Sequence, residues 1–204
     1  MKAPDPTKTS LRKKADYAKT GRCKNLIAVL EAPRNIENIG TVIRNINVLG
    51  VEKLYIVDRF NVLPDNWETM RNKKKLLDIS ASAVKWTFIK KFKTTEECIN
   101  HLENNGFVSI VTSPHIKGKT NILLQDGDFT QKKLAVWFGN EARGISNTAV
   151  SHSAACVQIE MYGIVESLNL ATSTGIVLYE ITKQRREYQK THKGARKTNP
   201  PIKK

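Results

Sequence analysis

The chain has 204 residues, enough for one domain with a real hydrophobic core and no need of disulfide or metal staples. Its net charge of +15 is concentrated at the ends: residues 1–24 hold eight Lys or Arg against two acids, residues 183–204 nine against one, and the body between is nearly neutral. Three well-separated cysteines and four scattered histidines give no disulfide framework or zinc-ligand spacing, and neither a bilayer-length apolar run nor a secretory signal is visible, so a cytoplasmic protein without a structural metal is expected.

Two cationic ends on a neutral body point to nucleic acid, because Lys and Arg neutralising phosphates supply most of the sequence-independent affinity. An acidic membrane surface would attract the same charges, but neither end has an apolar face to insert.

Taken in order, residues 1–24, with Pro4, Pro6 and alternating Lys and Ala, read as a flexible basic arm carrying a short helix near Leu11 to Ala18. A buried strand spans Leu26 to Leu30. Asn35 then caps a helix to about Leu49, with Ile36, Ile39, Val42, Ile43 and Ile46 on its apolar side and Asn38, Thr41, Arg44 and Asn45 on the other. Gly50 ends that helix, and Leu54 to Val57 is the next strand, completing a parallel crossover unit. Trp67 to about Leu77 reads as helical, extending toward Ala83, and Val84 to Ile89 as a strand. Thr94-Thr-Glu-Glu97 starts a helix that stops at Gly106.

The strand Phe107 to Val111 leads into a turn at Thr112, at the carboxyl end where open α/β sheets bind ligands. Residues 116–131 read as a connecting loop. Leu134 to Phe138 and Cys156 to Ile159 are strands, each running into a glycine-punctuated polar turn, and Ser167 caps a helix to about Tyr188. The sum is an α/β fold with a mostly parallel sheet flanked by helices: a domain over 25–186 between the basic arm and a basic, disordered tail over 187–204.

The turn bracketed by Gly139 and Gly144 is not a phosphate loop, since Ile-Ser follows where that motif needs Lys and then Ser or Thr, and no Gly-x-Gly-x-x-Gly occurs. Instead, Gly139-Asn-Glu141-Ala-Arg-Gly144-Ile-Ser146 and Ile159-Glu-Met161-Tyr-Gly163-Ile-Val-Glu-Ser167-Leu168-Asn169 resemble the second and third motifs of the SPOUT RNA methyltransferases, in particular the TrmH-like branch that methylates the ribose 2′-hydroxyl of tRNA or rRNA. Asn38-Ile-Gly40-Thr-Val-Ile-Arg44 matches the first motif, Asn-x-Gly followed by Arg. The resemblance covers roughly residues 25 to 185. It implies a deep trefoil knot in the carboxyl part, S-adenosylmethionine (S-adenosyl-L-methionine) bound bent within the knot loops, an RNA substrate and a homodimer.

The same resemblance assigns Arg44, Asn38, Glu141, Ser167 and Asn169 to catalysis, and places Thr112, Gly139, Ile159, Met161, Gly163 and Leu168 around the donor. Each has a plainer reading: Arg44 as a solvated helix residue, Glu141 as a loop acid, Ser167 as a helix cap, and Ile159, Met161 and Leu168 as core. Asn169 is unfavourable inside a helix and is not read as a cap, which favours a functional contact. An arginine is a poor proton acceptor, so Arg44 is expected to grip RNA phosphate and polarise the acceptor oxygen. Two positions depart from the family pattern: Glu160 stands where Pro is common, and Leu170-Ala171 where Val-Ser is frequent. A non-catalytic RNA-binding factor and a base methyltransferase are the alternatives. The lack of a separate RNA-binding domain on the amino side favours tRNA over rRNA.

Overall fold

The structure, a computed structural model, describes residues 9–192. Helix α1 (Ser10–Thr20) precedes β1 (Cys23–Glu31), α2 (Ile36–Leu49) and β2 (Val51–Val57). Two short helices, α3 (Trp67–Asn72) and α4 (Lys74–Ile79), lead to β3 (Phe88–Phe92), α5 (Thr95–Asn104), β4 (Val108–Thr112) and β5 (Asn121–Leu123). The chain closes with β6 (Leu134–Phe138), α6 (Asn147–Ser151), β7 (Ala155–Gln158) and α7 (Leu170–Thr191).

The strands form one sheet in the order β3-β2-β1-β6-β4-β7-β5, and every pairing is parallel. A parallel sheet needs cover on both faces. Leu26, Ala28 and Leu30 of β1 face a core shared with α2, α4 and α7, while Ile27 and Val29 face the core under α5 and α6. Leu134, Val136 and Phe138 of β6 divide from Ala135 and Trp137 in the same way, as the two-residue period of a strand requires. All the strands therefore end at one edge, and the glycine turns open there.

Several expectations are corrected. The helix expected over 67–77 breaks at Lys73, which is extended, and does not continue beyond Ile79 because Ala81 and Ser82 turn left-handed, with φ of 48° and 63°. Val84 is buried in a 3-10 turn (Ala83–Lys85), so the strand starts at Phe88 and not at Val84; its register is set by pairing of Lys53–Val57 with Phe88–Phe92. The 116–131 loop contains β5, three residues held by β7, and Ser146 caps α6, which no local periodicity announces.

Ser167 does not cap α7. Asn169 does, its side chain accepting from the N–H groups of Ala171 (2.8 Å) and Thr172 (3.3 Å). At the ends, β1 begins inside the expected arm and α7 carries helix through residues 187–191. The expected flexibility of residues 1–8 and disorder of 193–204 lie outside the described residues.

Two packing details fix the site's frame. A Cβ on Gly40 would come within 2.7 Å of Ile79 Cγ2, so this motif glycine serves the close approach of α2 to α4, not a ligand. Arg185 of α7 is 4% exposed and donates to Cys23 Sγ (3.1 Å), to the Lys24 carbonyl (3.1 Å), to the Phe129 carbonyl (3.4 Å) and to the Gln131 carbonyl. It clamps the far end of α7 to the start of β1.

Candidate active site

The turn after β6 is built around Asn140. Asn140 and Gly144 exchange backbone hydrogen bonds of 2.9 and 2.8 Å. The Asn140 side chain accepts from the N–H groups of Ala142 (2.8 Å) and Arg143 (3.0 Å) and donates to the Ala32 carbonyl (2.5 Å). The two limbs of the turn meet so closely that a Cβ on Gly139 would lie 2.2 Å from Gly144 C and Ile145 N. Beyond the turn, the buried Glu31 carboxylate accepts from Ser146 N (2.8 Å), Ser146 Oγ (2.6 Å) and Thr95 Oγ1 (2.7 Å), anchoring the loop to β1 and α5. Sequence reasoning missed both Asn140 and Glu31. An Asx turn between two glycines was the available signal for Asn140; Glu31 gave none.

Below this turn lies a cavity of about 320 Å³, lined among others by Thr112, Gly139, Ile159, Met161 and Leu168, all expected at a donor site, and by Glu141 and Ser167. Pro114, Lys117, Val157 and Val177 complete walls that are part apolar and part polar. The volume and mixed lining suit a small organic ligand. The Thr112 hydroxyl can only accept from a ligand, because its one hydrogen is donated to the Trp137 carbonyl at 2.9 Å. The neighbouring loop is pinned by Gln158 Nε2 to the Pro114 carbonyl (3.1 Å) and by Lys117 Nζ to the Ile145 carbonyl (3.3 Å). Gly163 is exposed and does not line the cavity. Glu160 faces away from it, accepting from Gln125 Nε2 at 3.0 Å, so the acid that replaces the frequent proline adds no charge to the pocket wall.

Beside the cavity the three motifs join in one relay. Asn38 Nδ2 donates to Glu141 Oε1 at 2.9 Å, and Asn38 Oδ1 accepts from Asn169 Nδ2 at 3.0 Å. Asn169 Oδ1 is already an acceptor for the first turn of α7. The cap therefore fixes the orientation of both amides. Glu141 also accepts from Arg34 N (3.1 Å) and Asn35 N (3.4 Å), at the entry to α2. Burial alone would push its pKa up, but the hydrogen bonds from Asn38 and from backbone N–H groups outweigh it and hold the carboxyl below the usual carboxylate range. Glu141 is ionised at neutral pH.

Asn38 and Asn169 also line a shallow groove between α2 and α7, where Asn45 Nδ2 donates to the Ala171 carbonyl at 3.0 Å. Arg44, two turns along α2 from Glu37, is exposed and makes no hydrogen bond or ion pair among the described residues. Ser167 borders the cavity, likewise without a hydrogen bond. The structure thus brings Asn38, Glu141 and Asn169 into direct contact, sets Ser167 at the cavity, and leaves Arg44 free on the adjoining helix. No cluster of His, Cys, Asp or Glu among the described residues suits a metal.

A wholly parallel sheet with a ligand-sized cavity under a tight turn at its carboxyl edge defines an α/β protein that binds a small molecule where strands end. The chain belongs to the SpoU rRNA Methylase family, whose model matches residues 25–179. It is 29% identical over 167 residues to the tRNA (guanosine(18)-2'-O)-methyltransferase of Aquifex aeolicus, covering 81% of this chain and 72% of that protein. The protein of the same name from Thermus thermophilus is 25% identical over 174 residues, covering 85% and 82%. Among solved structures, the A. aeolicus TrmH/SpoU tRNA modifying enzyme matches with a TM-score of 0.71 at 27% identity, covering 88% of this chain and 86% of that one. The SpoU methyltransferase AviRb from Streptomyces viridochromogenes, in complex with AdoMet, matches at 0.64 and 25% identity, covering 79% and 60%. The family expected from the three motifs and the α/β fold are borne out.

Proposed function

We propose that this protein is an S-adenosylmethionine-dependent methyltransferase of the RNA ribose 2′-hydroxyl, with tRNA as the favoured substrate. Membership of the SpoU family and the names of its relatives support the activity, and the AdoMet complex of AviRb supports the donor. The observation that carries the reading is the relay Glu141–Asn38–Asn169, which ties one residue from each motif together beside the cavity.

When bound, S-adenosylmethionine supplies an electrophilic methyl group on a sulfonium. The residues present fit it: Ile159, Leu168 and Val177 offer an apolar slot for a purine, Met161 lies beside them, and the Gly139–Ile145 turn presents backbone groups. Holding donor and acceptor in line removes much of the barrier. Arg44 grips RNA phosphate and polarises the acceptor oxygen, remaining protonated throughout, and the proton leaves to phosphate or water. Ser167, at the cavity wall, positions the ribose. Ionised Glu141 orients Asn38 so that the mouth of the cavity keeps one hydrogen-bonding polarity.

The protein acts as a homodimer in the cytoplasm. An apolar surface supports pairing: Val48 of α2, Ile176 and Tyr179 of α7, and Tyr162, Ile164 and Val165 before α7 are all exposed. Three buried thiols without a disulfide fit a reducing compartment, and among the described residues no helix is long and apolar enough to cross a membrane. The knot expected of the resemblance belongs to the same proposal, supported by α7 returning to pack on α2 after β7 has been laid outside β4.

The test is transfer of labelled methyl groups to tRNA from the same cells, followed by nucleoside analysis. Ribose-methylated product with the wild type, falling by about 100-fold or more with Arg44→Ala, supports the reading. Base-methylated product, or donor binding with no RNA methylated, overturns it in favour of a base methyltransferase or a binding factor.

A further inference from the structure

A second groove, lined by Arg34, Asn35, Ile36, Glu37, Val62 and Lys73, opens next to the relay. It adjoins the groove between α2 and α7, with which it shares Glu37. The N–H groups of Arg34 and Asn35 donate to the Glu141 carboxylate.

At its rim the Arg34 guanidinium lies 4.7 Å from the centroid of the Phe60 ring, yet Phe60 remains 44% exposed. What sets Phe60 apart is its place beside Arg34 at the groove, on a loop that is firmly built. Asp58, 4% exposed, accepts from Val62 N (2.9 Å) and Leu63 N (3.0 Å) and pairs with Lys91 Nζ at 3.1 Å. Lys91 also reaches the Leu63 carbonyl and Asp65, both at 2.7 Å. The loop that carries Phe60 is therefore fixed in place by the ion pair between buried Asp58 and half-buried Lys91. Arg59 is exposed next to it, Lys73 stands across the groove, and the one acid lining the groove, Glu37, is already paired with Lys75.

We infer that the groove is a subsite for an unpaired RNA nucleotide adjoining the methylated one: its base stacks on Phe60, and Lys73 and Arg59 take its phosphate. The inference rests on the proposed RNA methyltransferase reading. Only a nucleotide outside a duplex has a base face free to stack on protein, so this subsite selects a target in a loop or single-stranded stretch. A phosphate-only interface would need the cations but not the ring.

The test uses the full chain and a fluorescein-labelled single-stranded hexaribonucleotide, free or annealed to its complement. The wild type should prefer the single strand. Phe60→Leu, which keeps apolar bulk but loses the ring, should weaken single-strand binding about five- to a hundredfold, with little change toward the duplex, and Phe60→Trp should restore it. Lys73→Ala should reduce the slope of log affinity against log salt by about 0.7. Phe60→Leu with wild-type affinity and strand preference overturns the subsite while leaving RNA methylation, measured separately, as it stands. A wild type that binds neither RNA overturns the subsite and the RNA reading together.

Discussion

Replacing Glu141 by Gln tests the relay most directly, because the swap keeps shape and changes only charge and hydrogen-bond polarity. Asn169 Oδ1 must accept from α7, so Asn169 Nδ2 faces Asn38, Asn38 Oδ1 faces Asn169, and Asn38 Nδ2 faces residue 141. A carboxylate can accept from Asn38, Arg34 and Asn35 at once. A glutamine cannot, since its amide NH2 must then oppose another donor. One donor left unpaired costs about 1–3 kcal/mol when buried; because the site is open to solvent, about 1–2 kcal/mol is the fair expectation.

For a chain of this size that lowers the melting temperature by about 2–8 °C. The pH dependence adds a second signature. A carboxyl whose pKa is depressed by folding contributes stability that is complete above its unfolded value, about 4.5, and that fades as pH falls through the folded value. The gap between wild type and Glu141→Gln should be full at neutral pH and should narrow in acid. Thermal unfolding followed by circular dichroism between neutral pH and pH 3 measures both. Identical melting at neutral pH, or a gap that stays constant into acid, would refute the relay as an energetic unit.

Asn169→Asp keeps the helix cap, because aspartate caps as well as asparagine, but removes the Nδ2 donor to Asn38: the melting temperature should fall by no more than with Glu141→Gln, while methyl transfer should drop. Loss of stability with retained transfer would reverse that assignment. Gly139→Ala should impair donor binding by calorimetry and cost about 1–3 kcal/mol in urea unfolding, since its methyl would collide with Gly144 and Ile145; unaltered donor affinity would show that the turn does not shape the cavity. Arg185→Met strips donors from buried carbonyls and should destabilise by about 3 kcal/mol or more, lowering the melting temperature by about 6–12 °C; a smaller shift would mean that water replaces the clamp.

Local pattern carried much of the fold. The apolar runs of β1 and β6 and the period of α2 with its Asn35 cap appear where the sequence places them, because side-chain burial on one strand or one helix is a nearest-neighbour matter. The motifs pointed to Asn38, Glu141 and Asn169, but Asn169 was misread as lying inside a helix. Nothing local distinguishes a cap at 167 from one at 169 when both residues are polar; the contact with Asn38 favours the latter.

By itself, the sequence determined an α/β chain with cationic ends, a neutral body and three motifs of one enzyme family. Only the tertiary structure decided that residues 103 and 131 positions apart share hydrogen bonds, that β3 starts at Phe88, that Glu31 holds Ser146, and that Phe60 stands open beside the site. Those outcomes depend on which strands become neighbours, and strand order is settled by long-range burial and register, which no stretch of adjacent residues encodes.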